Sequence, residues 1–476
     1  MQPQRHRDHR GVPARARLCV PLCLCGGIFV LFNAFACTAD AAPNLKADGY
    51  RGIWFALGQK SEYGDKYSGG LGTYTANHVP IAIYSEKVNK TFFVYGGTKK
   101  GQRHLLIMAS YYDHATGKVP RPTIVYDKKG VNDPHDNAAL AIDDQGHLWV
   151  FTSGRARKRL GLIHRSTRPF STEAFEQVAE REMTYPQPRF VGGRGFFHLM
   201  TRYTKGRELY WETSADGKAW DTHLLAGFGG HYQVSGMSGD TIGTAFMWHP
   251  NGNVDARTNL YYLQTRDFGA TWTTAEGKSV TTPLRSDVND ALLIDYRAQG
   301  LNVYIHDLNF DAQGHPAILY LTSRGHEAGP KNDPRTWRVT RWTGQSWETS
   351  DVCTSTHNYD TGCLFIDGDR WSVFGPTSAG PQKWGSGGEM QLWSSADAGR
   401  TWRHVRDVTR GSRLNHSYAR RVINGKDPFV VFWADGHSDQ LSESRLYFSD
   451  RAGKRVLVLP YDMKQDQAEP QIVNLR

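Results

Sequence analysis

One turn motif, written more than once into the chain, constrains the fold more than any other feature. Thr265-Arg266-Asp267-Phe268-Gly269-Ala270-Thr271-Trp272 and Ser395-Ala396-Asp397-Ala398-Gly399-Arg400-Thr401-Trp402 share the pattern S/T-x-D-x-G-x-T-W. Ser214-Ala215-Asp216-Gly217-Lys218-Ala219-Trp220 is a shortened copy, and looser relatives lie at 144–149 and 311–315. In such a turn the Asp accepts from backbone amides, the Gly supplies positive φ and the Trp packs beneath. Between the turns run short apolar or alternating segments at 79–84, 91–94, 138–142, 148–151, 196–200, 302–305, 317–321 and 428–432, bounded by Gly or Asp. That is the rhythm of strands. Only 173–181 reads as a short helix. A charged fraction of 22% and an aromatic fraction of 12% exclude a disordered or coiled-coil chain. The expectation is an all-β protein.

The first 17 residues carry five arginines against one acid, and an apolar stretch follows from 18 to 36. Pro21 and the Gly26-Gly27 pair break it, and small residues close it at Ala34-Phe35-Ala36 and Ala39-Asp40-Ala41. This is the layout of an export signal over 1–41 rather than a membrane anchor. The expectation is therefore a periplasmic or secreted protein, with no membrane span in the mature chain. Removing that segment takes five arginines and two aspartates and lowers the net charge from +10 to +7. A basic exported chain suits an anionic polysaccharide. No Lys/Arg-rich run or aromatic RNA-binding motif argues for nucleic acid.

Two clusters could carry chemistry. One pairs His114, in Tyr111-Tyr112-Asp113-His114, with His135, in Asp133-Pro134-His135-Asp136-Asn137. The other joins Tyr185, in Tyr185-Pro186-Gln187-Pro188, to Thr201-Arg202-Tyr203. Together they supply the parts for β-elimination from a uronate. A cation neutralises the carboxylate beside the weakly acidic C5 proton, a base removes that proton and an acid protonates the leaving oxygen. Arg202 suits the first role and His and Tyr the other two. Cys353, His357 and Cys363, with His416, fit a structural tetrahedral zinc site or a Cys353–Cys363 disulfide, with free thiols as the remaining alternative. No catalytic metal or cofactor is expected, and the protein is expected to be a monomer.

The repeated turns resemble the Asp boxes of sialidase-like β-propellers, where they close blade hairpins. No Arg-Ile-Pro motif stands near the N-terminus, so a true sialidase is not indicated. Arg51-Gly52-Ile53-Trp54, Lys66-Tyr67-Ser68-Gly69-Gly70-Leu71-Gly72-Thr73-Tyr74, His78-Val79-Pro80 and Lys90 to Gly97 resemble the BNR-4 repeat propellers, as do Asp133 to Asn137 and Trp149 to Arg155. That group includes ulvan lyases of polysaccharide lyase families 24 and 25 and enzymes cleaving rhamnose–glucuronate linkages. The resemblance implies one seven-bladed propeller over 42–476, about 60 residues per blade, with substrate in a canyon at one end. It implies Tyr185 as base and acid with His114 assisting, and His135 and Arg202 holding the uronate. Tyr203, His78 and His249 complete the expected substrate contacts, His78 alternatively marking a second site on the opposite face. The implied activity is a polysaccharide lyase on a rhamnose-linked, ulvan-like glycan. The alternatives are a hydrolase releasing rhamnose from glucuronate and a propeller that only binds acidic glycan.

Overall fold

The computed structural model describes residues 42–473. The expected signal segment and Cys19, Cys23, Cys25 and Cys37 lie outside them. Among the described residues every helix is a three-residue 3₁₀ turn, and none is long and apolar enough to cross a membrane. Most of the strands run antiparallel in consecutive sets of four. Ala138–Ile142, Leu148–Thr152, Gly161–Ser166 and Phe175–Arg181 form one sheet, and Thr184–Val191, Gly195–Tyr203, Arg207–Ser214 and Asp221–Ala226 the next. Gly230–Ser238, Thr241–His249, Thr258–Thr265 and Leu292–Ile294 follow, then Asn302–Phe310, Pro316–Ser323, Arg335–Trp342 and Trp347–Ser355. The remaining long strands make a thirteen-stranded sheet in which two single-residue pairings, Gly388↔His416 and Ile423↔Ile83, tie further sets together. The fold is all-β and propeller-like.

The helix expected at 173–181 is a strand, Phe175–Arg181, paired with Gly161–Ser166. It is the outer strand of its set and largely solvated, so it shows little period-two alternation. Tertiary pairing overrides the local pattern. The repeated turns form as expected. Asp267 accepts from Thr265 Oγ1 (2.9 Å), the Thr271 amide (2.9 Å) and Thr271 Oγ1 (2.6 Å), and Asp397 repeats the set with Ser395 and Thr401. Gly269 has φ of 94°, and a Cβ there would lie 2.3 Å from the Trp211 indole. These carboxylates are spent on their own turns and are structural.

The two ends of the described chain meet. The Tyr50 amide donates to Pro460 O (2.9 Å), the Gly52 amide to Ser444 O (3.0 Å), Trp54 Nε1 to His437 O (2.8 Å) and the Met463 amide to Asp48 O (2.7 Å). From there the chain crosses to residues 67–78, where Arg420 clasps it. Arg420 Nη1 donates to Thr73 O (3.1 Å) and Thr75 O (2.5 Å), and Nη2 to Ala76 O (3.2 Å) and His78 O (2.5 Å).

Burial also sets a pH dependence. It depresses His78, His306 and His357 to about 3 and His164, His231 and His416 to about 4. A depressed histidine contributes stability that is complete above its ordinary value near 6.5 and is lost as pH falls. Burial raises Asp360 to about 7 and Asp435 to about 6, which works the other way as they protonate. Burial likewise lowers His114, His135, His198 and His249, so ten histidines oppose two aspartates and the melting temperature should fall steadily from pH 7 to pH 5. A flat or rising profile by calorimetry would refute this.

Candidate active site

Tyr185, Tyr232 and Tyr304 all stand within the first three residues of the opening strand of their sets. The same edge therefore carries all three, and they line a cavity of about 140 Å³. Tyr67, Tyr74 and Tyr359 join them, and Lys66, Arg155, Arg207 and Arg257 bring four cations. Among the described residues no carboxylate lines this cavity.

Tyr185 sits at a β-bulge with φ of 57°, its amide held by Ser153 Oγ (3.1 Å). A left-handed tyrosine costs about 1–2 kcal/mol, and bulges of this kind re-aim side chains beside functional sites. Arg155 Nη1 reaches the hydroxyls of Tyr203 (3.2 Å) and Tyr185 (3.4 Å). Arg257 Nη2 donates to Tyr359 OH (3.0 Å), and its guanidinium lies 4.5 Å from the Tyr304 ring and 5.2 Å from that of Tyr232. Burial, with Tyr232 and Tyr203 nearby, pushes the Tyr185 phenol well above its ordinary range. Burial would raise Tyr232 as well. Arg207, Arg257, a hydrogen bond with Tyr185 and Arg155 more than offset that and hold Tyr232 below the ordinary phenol value. One cavity thus holds one phenol raised and one lowered from the ordinary value.

His135 lines the cavity on a 3₁₀ turn capped by Asp133. Its Nδ1 meets Asp133 Oδ1 at 2.5 Å, and its Nε2 lies 2.8 Å from both Tyr67 OH and Tyr74 OH. Burial works against ionised Asp133, but the bond from His135 and the charges of His135 and Arg155 keep it well below the usual carboxylate range. Burial lowers His135 in spite of Asp133. With Nδ1–H donated to the carboxylate, neutral His135 accepts at Nε2 and fixes the two tyrosines.

The structure does not bring all the expected residues here. His114 directly follows Leu106–Asp113, the third strand of the set that begins with Ala82–Ser85 and Lys90–Gly97, at the far end of the sheet from the cavity. It lies between the rings of Tyr84 and Tyr112, with Nε2 2.8 Å from Thr91 Oγ1. Arg202 is at the correct end but on the wrong face. It pairs across the strands with Glu208 and lies 3.5 Å from Glu182, whereas Tyr203 pairs with Arg207. Adjacent strand residues face opposite ways, so Tyr203 and Arg207 share the cavity side. His78 and His249 back the wall without lining the cavity. His78 Nδ1 is 3.0 Å from Tyr74 O, and its ring lies tilted 5.5 Å from that of Tyr185. The ring of His249 lies 4.7 Å from Tyr232.

The expected zinc or disulfide residues are also apart. Cys353 and Cys363 are free thiols. His416 is engaged at Nδ1 by Trp433 Nε1 (2.9 Å) and at Nε2 by Ser412 Oγ (2.9 Å), and His357 Nδ1 accepts from the Tyr359 amide (3.1 Å). Among the described residues no group of three or more His, Cys, Asp or Glu side chains is arranged for a metal ion.

Residues 98–355 match the family described as BNR repeat-containing family member. A curated ulvan lyase of family PL25 from Pseudoalteromonas sp. (strain PLSV) is 22% identical, over 57% of this chain and 63% of that protein's length. The solved structure of a PL25 ulvan lyase superposes with a TM-score of 0.66 at 17% identity, covering 86% of this chain and 96% of that one. The same scores hold for that lyase bound to -[GlcA(1-4)Rha3S]-. Polysaccharide lyase Uly1 superposes with a TM-score of 0.59 at 14% identity, over 85% of this chain and 97% of its own.

Proposed function

The chain belongs to the BNR repeat-containing family, and from that premise we propose that it is a polysaccharide lyase acting on a uronate-containing glycan such as ulvan. The observation that carries this reading is the cavity wall, with four cations, six tyrosines and, among the described residues, no carboxylate. Hydrolysis by the usual route needs two carboxylates flanking the scissile bond. Elimination needs the opposite, cations to hold a carboxylate and a base for the proton beside it. The ulvan lyase relatives support the same choice. On this reading the strand sets are seven blades of one ring, and the cavity opens at one end of its axis.

Arg155, Arg207 and Arg257 neutralise the uronate. The phenolate of Tyr232 removes the C5 proton, the electron pair forms the C4–C5 double bond, and the C4–O glycosidic bond breaks. Tyr185, kept protonated by its burial, gives its proton to the leaving oxygen. A proton passed back from Tyr232 to Tyr185 resets the pair. The resemblance gives Tyr185 both roles; the arginines around Tyr232 favour dividing them, with Tyr232 as base and Tyr185 as acid.

Incubation of the protein with ulvan should raise ultraviolet absorbance from unsaturated uronate ends. Reducing ends without absorbance would replace the lyase reading by a hydrolase, and binding without either product would leave a glycan-binding propeller.

A further inference from the structure

His306 is not used by the chemistry above. It is 3% exposed and lines the cavity, and neither ring nitrogen has a hydrogen-bond partner among the described residues. The strand Asn302–Phe310 breaks register between Ile305 and Asp307, so His306 is the extra residue of a bulge, as Tyr185 is in its own strand. Its neighbour Asp307 is committed elsewhere, accepting from Arg421 Nε (3.0 Å) and the Leu364 amide (3.0 Å). The ring packs edge-on to Trp337 at 4.5 Å, which fixes its direction. Burial alone depresses it to about 3, so the ring is neutral and offers one donor and one acceptor. A sugar hydroxyl, which both gives and takes a hydrogen bond, is its complement; a carboxylate or sulfate is not.

We propose that His306 is a specificity-determining residue that recognises an unsubstituted hydroxyl of the sugar seated beside the uronate. The inference rests on reading the cavity as a glycan site. It extends recognition from the arginines, which sense charge, to a neutral group that senses whether a hydroxyl is free.

The test compares wild type with His306→Leu, which removes both nitrogens at similar volume, and His306→Gln, which restores a donor and an acceptor. With ulvan as substrate, the Leu variant should raise KM more than tenfold with a smaller change in kcat, and the Gln variant should recover most of that loss. A Leu variant with wild-type KM, whatever its melting temperature, overturns the inference. Should the Leu variant not fold, ring ¹⁵N resonances of wild type, with His306 assigned from the Gln variant, give the second readout. The His306 signals should move on titration with ulvan oligosaccharide, and immobile signals while those of His135 shift would overturn the proposal. A wild-type protein that neither binds nor cleaves ulvan would strike the lyase reading itself, and this inference with it.

Discussion

Replacing Tyr232 with Phe should lower kcat for elimination about a thousandfold, the usual scale for losing a positioned proton-transfer group, while leaving glycan affinity within a few-fold of wild type. The hydroxyl removed is the one that Arg207, Arg257 and Arg155 hold below the ordinary phenol value. The same geometry predicts a pH profile. The base works deprotonated, so kcat/KM should rise with pH through the Tyr232 pKa and level off above it. Arg207→Gln removes the strongest of the opposing charges, which raises that pKa and moves the ascending limb to higher pH. Tyr185→Phe should also abolish turnover but leave binding of the uronate intact. A Tyr232→Phe enzyme with wild-type kcat would return the base role to Tyr185, and an unshifted limb in Arg207→Gln would remove the arginine from it.

The second large effect is expected far from the reacting atoms. Arg420 satisfies four buried carbonyls of residues 73–78, the segment that contributes Tyr74, Thr75 and Asn77 to the cavity wall. Arg420→Met strips all four partners at once, and unsatisfied buried groups cost roughly 1–3 kcal/mol each. The segment should rearrange to recover part of that loss. The expected outcome is destabilisation of about 3 kcal/mol in chemical denaturation and a loss of kcat/KM of roughly a hundredfold, the scale of a 1 Å misplacement. Arg420→Lys keeps the charge but not the planar fork, so it should rescue little. Full activity in either variant would show that the wall does not depend on the clasp.

Strand rhythm and the Asp turns were legible because both are local. A turn that closes on its own carboxylate looks the same in the sequence as in the fold. His135 and Tyr185 were legible through the distinctive residues around them. Arg202 failed by strand parity: Arg207, on the Tyr203 face, occupies the place intended for it. His114 failed because three strands of alternating direction carry it to the far end. Tyr232, Arg257 and Tyr304 gave no local signal, since two are ordinary residues in ordinary strands and Arg257 stands just before one. Only closure of the fold brings them against Tyr67 and His135. Cys353, His357 and Cys363 resemble a ligand set in spacing, but strand pairing to Trp337 and to Phe374 puts the two cysteines in different sheets.

The meeting of the chain's two ends bears on how the protein is made. Trp54 finds its partner His437 only 383 positions later, and Gly52 waits for Ser444 in the same way. Individual sheets can pair as they leave the ribosome, because their hairpins are short. The segment that carries Tyr67 and Tyr74 can meet His135 and Asn137 early, but its clasp by Arg420 and its contact with Ser438 wait for the last strands. During translation the cavity wall is therefore fixed in stages, and the four carbonyls of residues 73–78 find their partner only when Arg420 arrives.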